Sequence, residues 1–350
     1  MRRQFTLSNY HWALLANLVQ VFFSWLLLFT VIRLGSKQDV GLFSYLQAVL
    51  LPLQLFFTLK LRTIQCSDVQ CANEVVEYHR VRQIAAASFL VLSLVLLLIL
   101  NLPEASFFAG LFFVLSYVVY ILRETYVAEF QRALQNQNFF VVNASSALSS
   151  SLLFILLYFF SENLVLSLAG LVFGRVISYA VVERIVYFRS ASGRVEQFRK
   201  KPKAERVKSL FGRAWPLGFA ALLGSLFTSI PKILIESDLG LESLADYSAV
   251  TSLLVAYNLL ISSFVQSALP DAAKMYSVDR IKFFRMMRFA FRRLFLVTLF
   301  VGSFFYFFGT QFLVVVFGDE YGRLEPELLF VVLSGAFLSV FSIANLMLSS

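Results

Sequence analysis

Charge is what this 350-residue chain has least of: 15% of its residues are Asp, Glu, Lys or Arg, against 59% hydrophobic. Soluble domains carry about 25% charged residues. There is too little polar surface here to cover a water-soluble fold, so the chain reads as an all-α integral membrane protein. Catalytic side chains are also scarce. The two histidines, His11 and His79, both fall outside the apolar cores. No paired carboxylates sit at depth and no Gly-rich phosphate loop occurs, which removes the common acid–base and phosphate-cradling constellations. A membrane glycosyl polymerase needs a substantial outer loop, and the outer loops here are short apart from "FGDEYGRLEPE". The chain therefore reads as a non-enzyme. The two cysteines, Cys66 and Cys71, share "CSDVQC" without companion histidines. That is a poor metal set and fits reduced cytoplasmic thiols, so neither metal nor cofactor is expected.

What the chain has in abundance is apolar length, including 40 phenylalanines. The N-terminus superficially resembles a signal peptide, but Trp12–Ile32 is too long for an h-region and no A-x-A site follows it. It reads as a first transmembrane helix. "NAS" at Asn143 matches a glycosylation acceptor but lies in an apolar run and is discounted. Runs of about 20 apolar residues give ten spans, at roughly 12–32, 40–59, 84–100, 107–122, 138–160, 164–183, 214–235, 244–268, 294–313 and 326–347.

The net charge of +9 does not point to nucleic acid, because the cations punctuate the apolar runs. Of 30 Lys and Arg, 25 lie at the N-terminus or in loops 60–83, 123–137, 184–213 and 269–293, and 3 lie in the alternate loops. The remaining two, Arg175 and Lys232, fall inside spans. That asymmetry puts the basic loops and both chain ends in the cytoplasm. The longest basic loop, 184–213, reads as a hinge near anionic headgroups or as a recognition element for an anionic substrate. "LG" follows a tryptophan at Trp12/Leu34 and again at Trp215/Leu239, offsets of 203 and 205 residues. Such repeats are a construction principle of secondary transporters. They divide the chain into a six-helix bundle, 1–186, a linker, 187–213, and a second bundle, 214–350. The second bundle has four helices and reads as truncated by two.

Spacings of three, four and seven share a helical face, and polar residues recur at those spacings in six spans. Asn17, Gln20 and Ser24 line up in the first, Ser44, Gln47, Gln54 and Thr58 in the second, with Arg62 continuing the stripe. Asn143, Ser146 and Ser150 follow in the fifth, and Arg175, Tyr179 and Glu183 in the sixth. The seventh carries Ser225, Ser229, Lys232 and Glu236, with Pro231 as a kink, and the eighth Thr251, Asn258, Ser262 and Gln266. A single stripe reads as interhelical glue. Together they read as a central polar cavity. Lys232 lies near a span end, where it snorkels with Glu236 as partner. Arg175 is too deep for that, and its planar fork suits phosphate oxygens. The cores of the first five spans hold no Asp, Glu, Lys or Arg, so the deepest charge in the first bundle is positive and favours an anionic substrate.

"LGSKQDVGLFSYLQAVLLPLQLFFTLKLR", "WPLGFAALLGSLFTSIPKILIESDLGLESLADYSAV", "ALPDAAKMY" and "VVVFGDEYGRLEPELL" resemble the polysaccharide flippases of the multidrug, oligosaccharidyl-lipid and polysaccharide exporter superfamily. The bacterial O-antigen and capsule repeat-unit translocases are the nearest in kind. The resemblance implies two bundles around a central cavity and movement of an undecaprenyl-diphosphate-linked oligosaccharide across the inner membrane. It also implies membrane lipids, a polysaccharide polymerase and chain-length proteins as partners. On that resemblance Arg175 and Lys232 meet the diphosphate, Arg62 and Arg123 receive it at the cytoplasmic mouth, and Tyr179, Gln47 and Asn258 complete the substrate site. Glu183 and Asp246 are the acids open to ion coupling. A drug or cation exporter of the same superfamily would need a buried carboxylate in the first bundle. A non-transporting scaffold of an assembly complex is the other alternative.

Reporter fusions check the charge asymmetry. Fusions in loops 60–83, 123–137, 184–213 and 269–293 are expected to report a cytoplasmic location; periplasmic activity from a fusion near Lys201 contradicts the span assignment.

Overall fold

The computed structural model describes residues 7–68, 74–190, 201–278 and 280–324, with a few positions between 327 and 337; for 7–10, 255–284 and several positions between 286 and 302 it describes the backbone alone. Its helices are α1 Leu7–Leu34, α2 Lys37–Phe57, α3 Leu61–Ser67, α4 Val75–Ile99, α5 Glu104–Arg132, α6 Asn136–Ser161, α7 Leu164–Ile177, α8 Arg184–Ser190, α9 Ala204–Val278 and α10 Arg280–Phe317. A π-helical turn, Ser178–Glu183, links α7 to α8, and a 3-10 turn, Asp319–Leu324, follows α10. Local chemistry sets several starts. Ser36 and Asn163 accept from the amides of Asp39 and Leu166, both at 3.1 Å, satisfying donors that a helix start leaves free. Glu74 and Glu77 form a reciprocal capping box on α4.

Among the described residues, seven helices are long and apolar enough to cross a membrane. Six correspond to the first six spans of the sequence. The seventh, Ala204–Leu254, is 51 residues long and is broken at Gly240, whose φ of 81° and ψ of 177° no helix accommodates. Without a Cβ, glycine adopts positive φ readily, and Gly240 lies at the turn expected between spans 214–235 and 244–268. Pro231 keeps helical dihedrals, so the break belongs to Gly240. The ninth span falls within α10, and the tenth lies largely outside the described residues. Several helices outrun their apolar windows. Thus α5 continues ten residues past 122, carrying Arg123, Glu124 and Glu129 in helical register.

The chain forms two compact units, Met1–Leu244 and Ala245–Ser350. In the first, α1 packs on α6, α6 on α7, and α5 on both α4 and α7. The start of α9 belongs to this unit as well. Leu210 and Ala214 share a buried cluster with Leu59, Leu61, Tyr78, Val81 and Ala85. The Trp215 ring meets Phe56 edge-on at 5.9 Å, and Arg206 pairs with Glu77 at 3.5 Å. The start of α9 is thus held against α2 and α4, within the compact unit that runs to Leu244. In the second unit Arg323 donates to Asp246 at 2.6 Å and Phe317 packs on Tyr321 at 6.0 Å.

Behind the interior of the first unit, α7 packs closely on α6. A Cβ on Gly174 would stand 2.5 Å from the Ser149 carbonyl oxygen and from the Ser150 Cα, and Ser149 Oγ donates to the Gly174 carbonyl at 2.9 Å. Backbone cannot retreat as a side-chain tip can. Gly174→Ala is expected to destabilise the protein by about 1–3 kcal/mol, as overpacking does. Gly212→Ala, where nothing lies within 4 Å, is expected to be neutral or to stabilise by about 0.5–1 kcal/mol through helix propensity. Thermal unfolding in detergent checks both; equal effects contradict the packing argument.

Candidate functional site

A cavity of about 530 Å³ opens inside the first unit. Its walls come from α1, α2, α3, α4, α5 and α7, and the polar stripes of the first two spans converge on it. Asn17, Gln20 and Ser24 face it from α1, and Gln47, Gln54 and Thr58 line it at α2. Across from them stand Ser116, Tyr117, Tyr120 and Glu124 of α5. Four cations lie on this wall, Lys60, Arg62, Arg82 and Arg175, against one carboxylate, Glu124. The lumen is therefore electropositive, with uncharged amides and hydroxyls filling the polar surface between the charges.

Arg175 stands at the end of α7, where Nη1 donates to the Ser116 carbonyl at 3.2 Å and also to the Ser116 hydroxyl. Among the described residues no carboxylate pairs with it. Arg62 is held differently. Its Nε donates to Gln131 Oε1 at 2.6 Å, Nη1 stands 3.8 Å from Glu124, and the guanidinium lies 5.0 Å from the Phe139 ring centroid. Arg82, which the sequence reading left in a loop, is buried and donates from Nη1 to Gln65 at 2.9 Å. Its Nη2 is buried with no hydrogen-bond partner among the described residues. The signal that would have found it is the E-x-x-E capping box at Glu74 and Glu77, which starts α4 well before its apolar run.

Other expected residues go elsewhere. Arg123 does not stand at the mouth of the cavity. It is buried, with Nε donating to Glu183 at 2.7 Å and Nη2 to the Val142 carbonyl and Asn143 Oδ1 at 3.3 and 3.1 Å. Glu183 is thus ion-paired across α5, and Asn143, expected on a polar stripe, completes the tie. Tyr179 lies off the cavity too, its ring 5.9 Å from Tyr126 with the Arg184 guanidinium 5.6 Å above it. In an uninterrupted α-helix Arg175, Tyr179 and Glu183 would share a face. The π-helical turn Ser178–Glu183 breaks that register, so the three side chains address three different surroundings. Lys232 and Glu236 are partly buried on α9 outside the cavity wall, and no ion pair joins them. Asp246 is engaged by Arg323. The side chain of Asn258 lies outside the described residues.

The family model described as "Polysaccharide biosynthesis protein" matches residues 6–275. The chain is 27% identical over 344 residues to the capsular polysaccharide biosynthesis protein CapF of Staphylococcus aureus, an alignment spanning 96% of this chain and 83% of that one. Among solved structures it is similar to an inward-facing multidrug resistance MATE family transporter of the MOP superfamily, with TM-score 0.68 and 14% identity over 96% of this chain and 85% of that one. A mutant of the Vibrio cholerae MATE transporter VcmN gives TM-score 0.62 and 15% identity, over 98% and 83%. A MOP superfamily transporter from Pyrococcus furiosus, described as having a binding pocket of reversed polarity, gives TM-score 0.57 and 15% identity, over 96% and 83%. At these identities the likeness to the structures is one of fold.

The Arg123–Glu183 pair generates a stability prediction. Removing one member strands the other charge in a buried site, which costs about 3–5 kcal/mol. Arg123→Met is expected to lower stability by that order, and Glu183→Met in addition to recover most of the loss. Apparent unfolding temperatures in detergent check this; a double variant no better than the single one contradicts the assignment.

Proposed function

Because the chain belongs to the polysaccharide biosynthesis protein family, we propose that it moves a lipid-linked oligosaccharide, an undecaprenyl-diphosphate-bound repeat unit, from the cytoplasmic to the periplasmic leaflet. The observation that carries this reading is Arg175, a guanidinium within a membrane-spanning helix that faces a polar cavity and is held, among the described residues, by Ser116. A cation at this depth costs roughly 2.5–3.5 kcal/mol on insertion scales, and a diphosphate accepting its fork offsets that cost. The first bundle does bury carboxylates, but Glu183 is paired with Arg123 and Glu124 with Arg62, and the surplus of cations on the cavity wall would repel a cationic drug. Asn17, Gln20, Gln47 and Gln54 offer both donors and acceptors to sugar hydroxyls, so the glycan does not lose its hydrogen bonds on leaving water.

In this mechanism the sugar-diphosphate head enters the cavity while the polyprenyl tail stays in lipid. Rocking of the two bundles against each other then exposes the head to the opposite face. The multi-pass fold and its likeness to MATE transporters support alternating access, and the name of the CapF relative supports a surface polysaccharide as the destination. The 25 to 3 distribution of cations supports an inner-membrane protein with a cytoplasmic N-terminus. A polysaccharide polymerase and chain-length proteins are the partners downstream of such a step.

Transport in reconstituted vesicles containing lipid-linked oligosaccharide tests the role of Arg175. Arg175→Lys is expected to keep part of the activity, because the charge remains while the bidentate fork is lost. Arg175→Ala is expected to fall to background with normal abundance and melting temperature, since no ion partner is stranded. Full transport by a well-folded Arg175→Ala protein overturns the role.

A further inference from the structure

Away from the cavity, a groove of about 590 Å³ runs between the start of α4 and the start of α9. Both helices enter the membrane from the basic end of the unit, and each contributes one face. On α4 that face is Arg80, Val81 and Ile84; on α9 it is Ala204, Val207, Lys208 and Phe211. The spacing of four between Arg80 and Ile84, and of three between Lys208 and Phe211, stacks a cation one turn outside an apolar side chain on each wall. Ile84 and Phe211 remain 43% and 44% exposed, and the apolar spans 84–100 and 214–235 begin at this level. The groove is thus basic at headgroup height and apolar below it.

The charges of this corner are unevenly matched. Glu77 is taken by Arg206 at 3.5 Å. Arg80 donates to Gln83 at 3.3 Å, and among the described residues neither Arg80 nor Lys208 pairs with a carboxylate. Two cations on a wall that continues into apolar surface fit one kind of occupant. We propose that this groove is a binding site for an anionic phospholipid, with the phosphate between Arg80 and Lys208 and the upper part of an acyl chain against Ile84, Val207 and Phe211. Basic pockets between transmembrane helices recognise anionic headgroups in this way. The volume suits a headgroup and the first methylenes of a chain, not a whole lipid. The assignment of the lipid to the cytoplasmic leaflet rests on the orientation proposed above; the ligand chemistry does not. An occupied groove would cover the junction of α4 and α9 and clamp the start of α9 to the first unit.

Trp215 lies one turn beyond Phe211 on α9 and is 47% exposed, which places a fluorophore beside the groove. The full chain carrying Trp12→Phe and Trp25→Phe, reconstituted in phosphatidylcholine vesicles, is titrated with brominated phosphatidylglycerol or brominated phosphatidylcholine. Brominated phosphatidylglycerol is expected to quench Trp215 at a much lower mole fraction. Each headgroup-level cation contributes about fivefold, so Lys208→Gln is expected to weaken that preference by about fivefold and Arg80→Gln with Lys208→Gln by about thirtyfold. Arg189→Gln, an exposed cation on α8, is expected to leave it unchanged. Equal quenching by the two lipids, or an unaltered preference in the Lys208→Gln protein, overturns the site. So does relief of quenching by a polyprenyl diphosphate but not by unbrominated phosphatidylglycerol, which would make the groove a substrate dock.

Discussion

A guanidinium inside a membrane protein must be paired, solvated or given an anion, and this chain holds two arginines that meet the constraint in opposite ways. Arg123 is paired. Glu183, Asn143 and the Val142 carbonyl enclose it on three sides, and the tie joins α5, α6 and the turn after α7. Arg175, eight residues before Glu183, is left to Ser116 and the cavity. The architecture of the first unit depends on keeping these fates separate. If Glu183 reached Arg175, the lumen would lose its deepest unneutralised cation within an apolar span and Arg123 would be stranded.

The π-helical turn Ser178–Glu183 keeps them apart. π-Bulges are often found at functional sites, and here the one at the end of α7 sends Arg175 toward α5 and the lumen while Glu183 turns back to Arg123. Close packing of α7 on α6 at Gly174, immediately before Arg175, fixes the height at which the guanidinium emerges. The stretch from Gly174 to Glu183 therefore carries backbone packing, the lumenal charge and one member of a buried ion pair. The electropositive wall, with four cations to one carboxylate, follows from that arrangement together with Lys60 and Arg62 at the start of α3 and Arg82 two turns into α4.

Much of this was legible in the residue pattern. Apolar length and the cation asymmetry located the membrane-spanning helices of the first unit, and the period of Asn17, Gln20 and Ser24, and of Gln47, Gln54 and Thr58, named two walls of the cavity. Arg175 stood out because no other Lys or Arg lies in the first six apolar runs. What was not legible has separate physical causes. Hydropathy marks where a helix meets lipid, not where it starts or stops, so α4 and α5 extend through residues read as loop. Arg82 and Glu124 on the cavity wall and Arg123 in its buried pair were misplaced for that reason. The π-turn was invisible because period reasoning assumes an unbroken α-helix, and it moved Tyr179 and Glu183 away from Arg175. Gly240 marked its turn in the sequence, but the packing of the start of α9 on α2 and α4, which carries the compact unit on to Leu244, depends on contacts such as Trp215 on Phe56 that no local pattern encodes.

The central claim is that the positive cavity is matched to the diphosphate of a lipid-linked glycan. The most direct measurement is leaflet exchange, in vesicles bearing the purified protein, of one oligosaccharide on a polyprenyl diphosphate and of the same oligosaccharide on an uncharged lipid. The account predicts protein-dependent exchange of the diphosphate form and none above protein-free vesicles for the neutral form. Equal exchange of the two would contradict it.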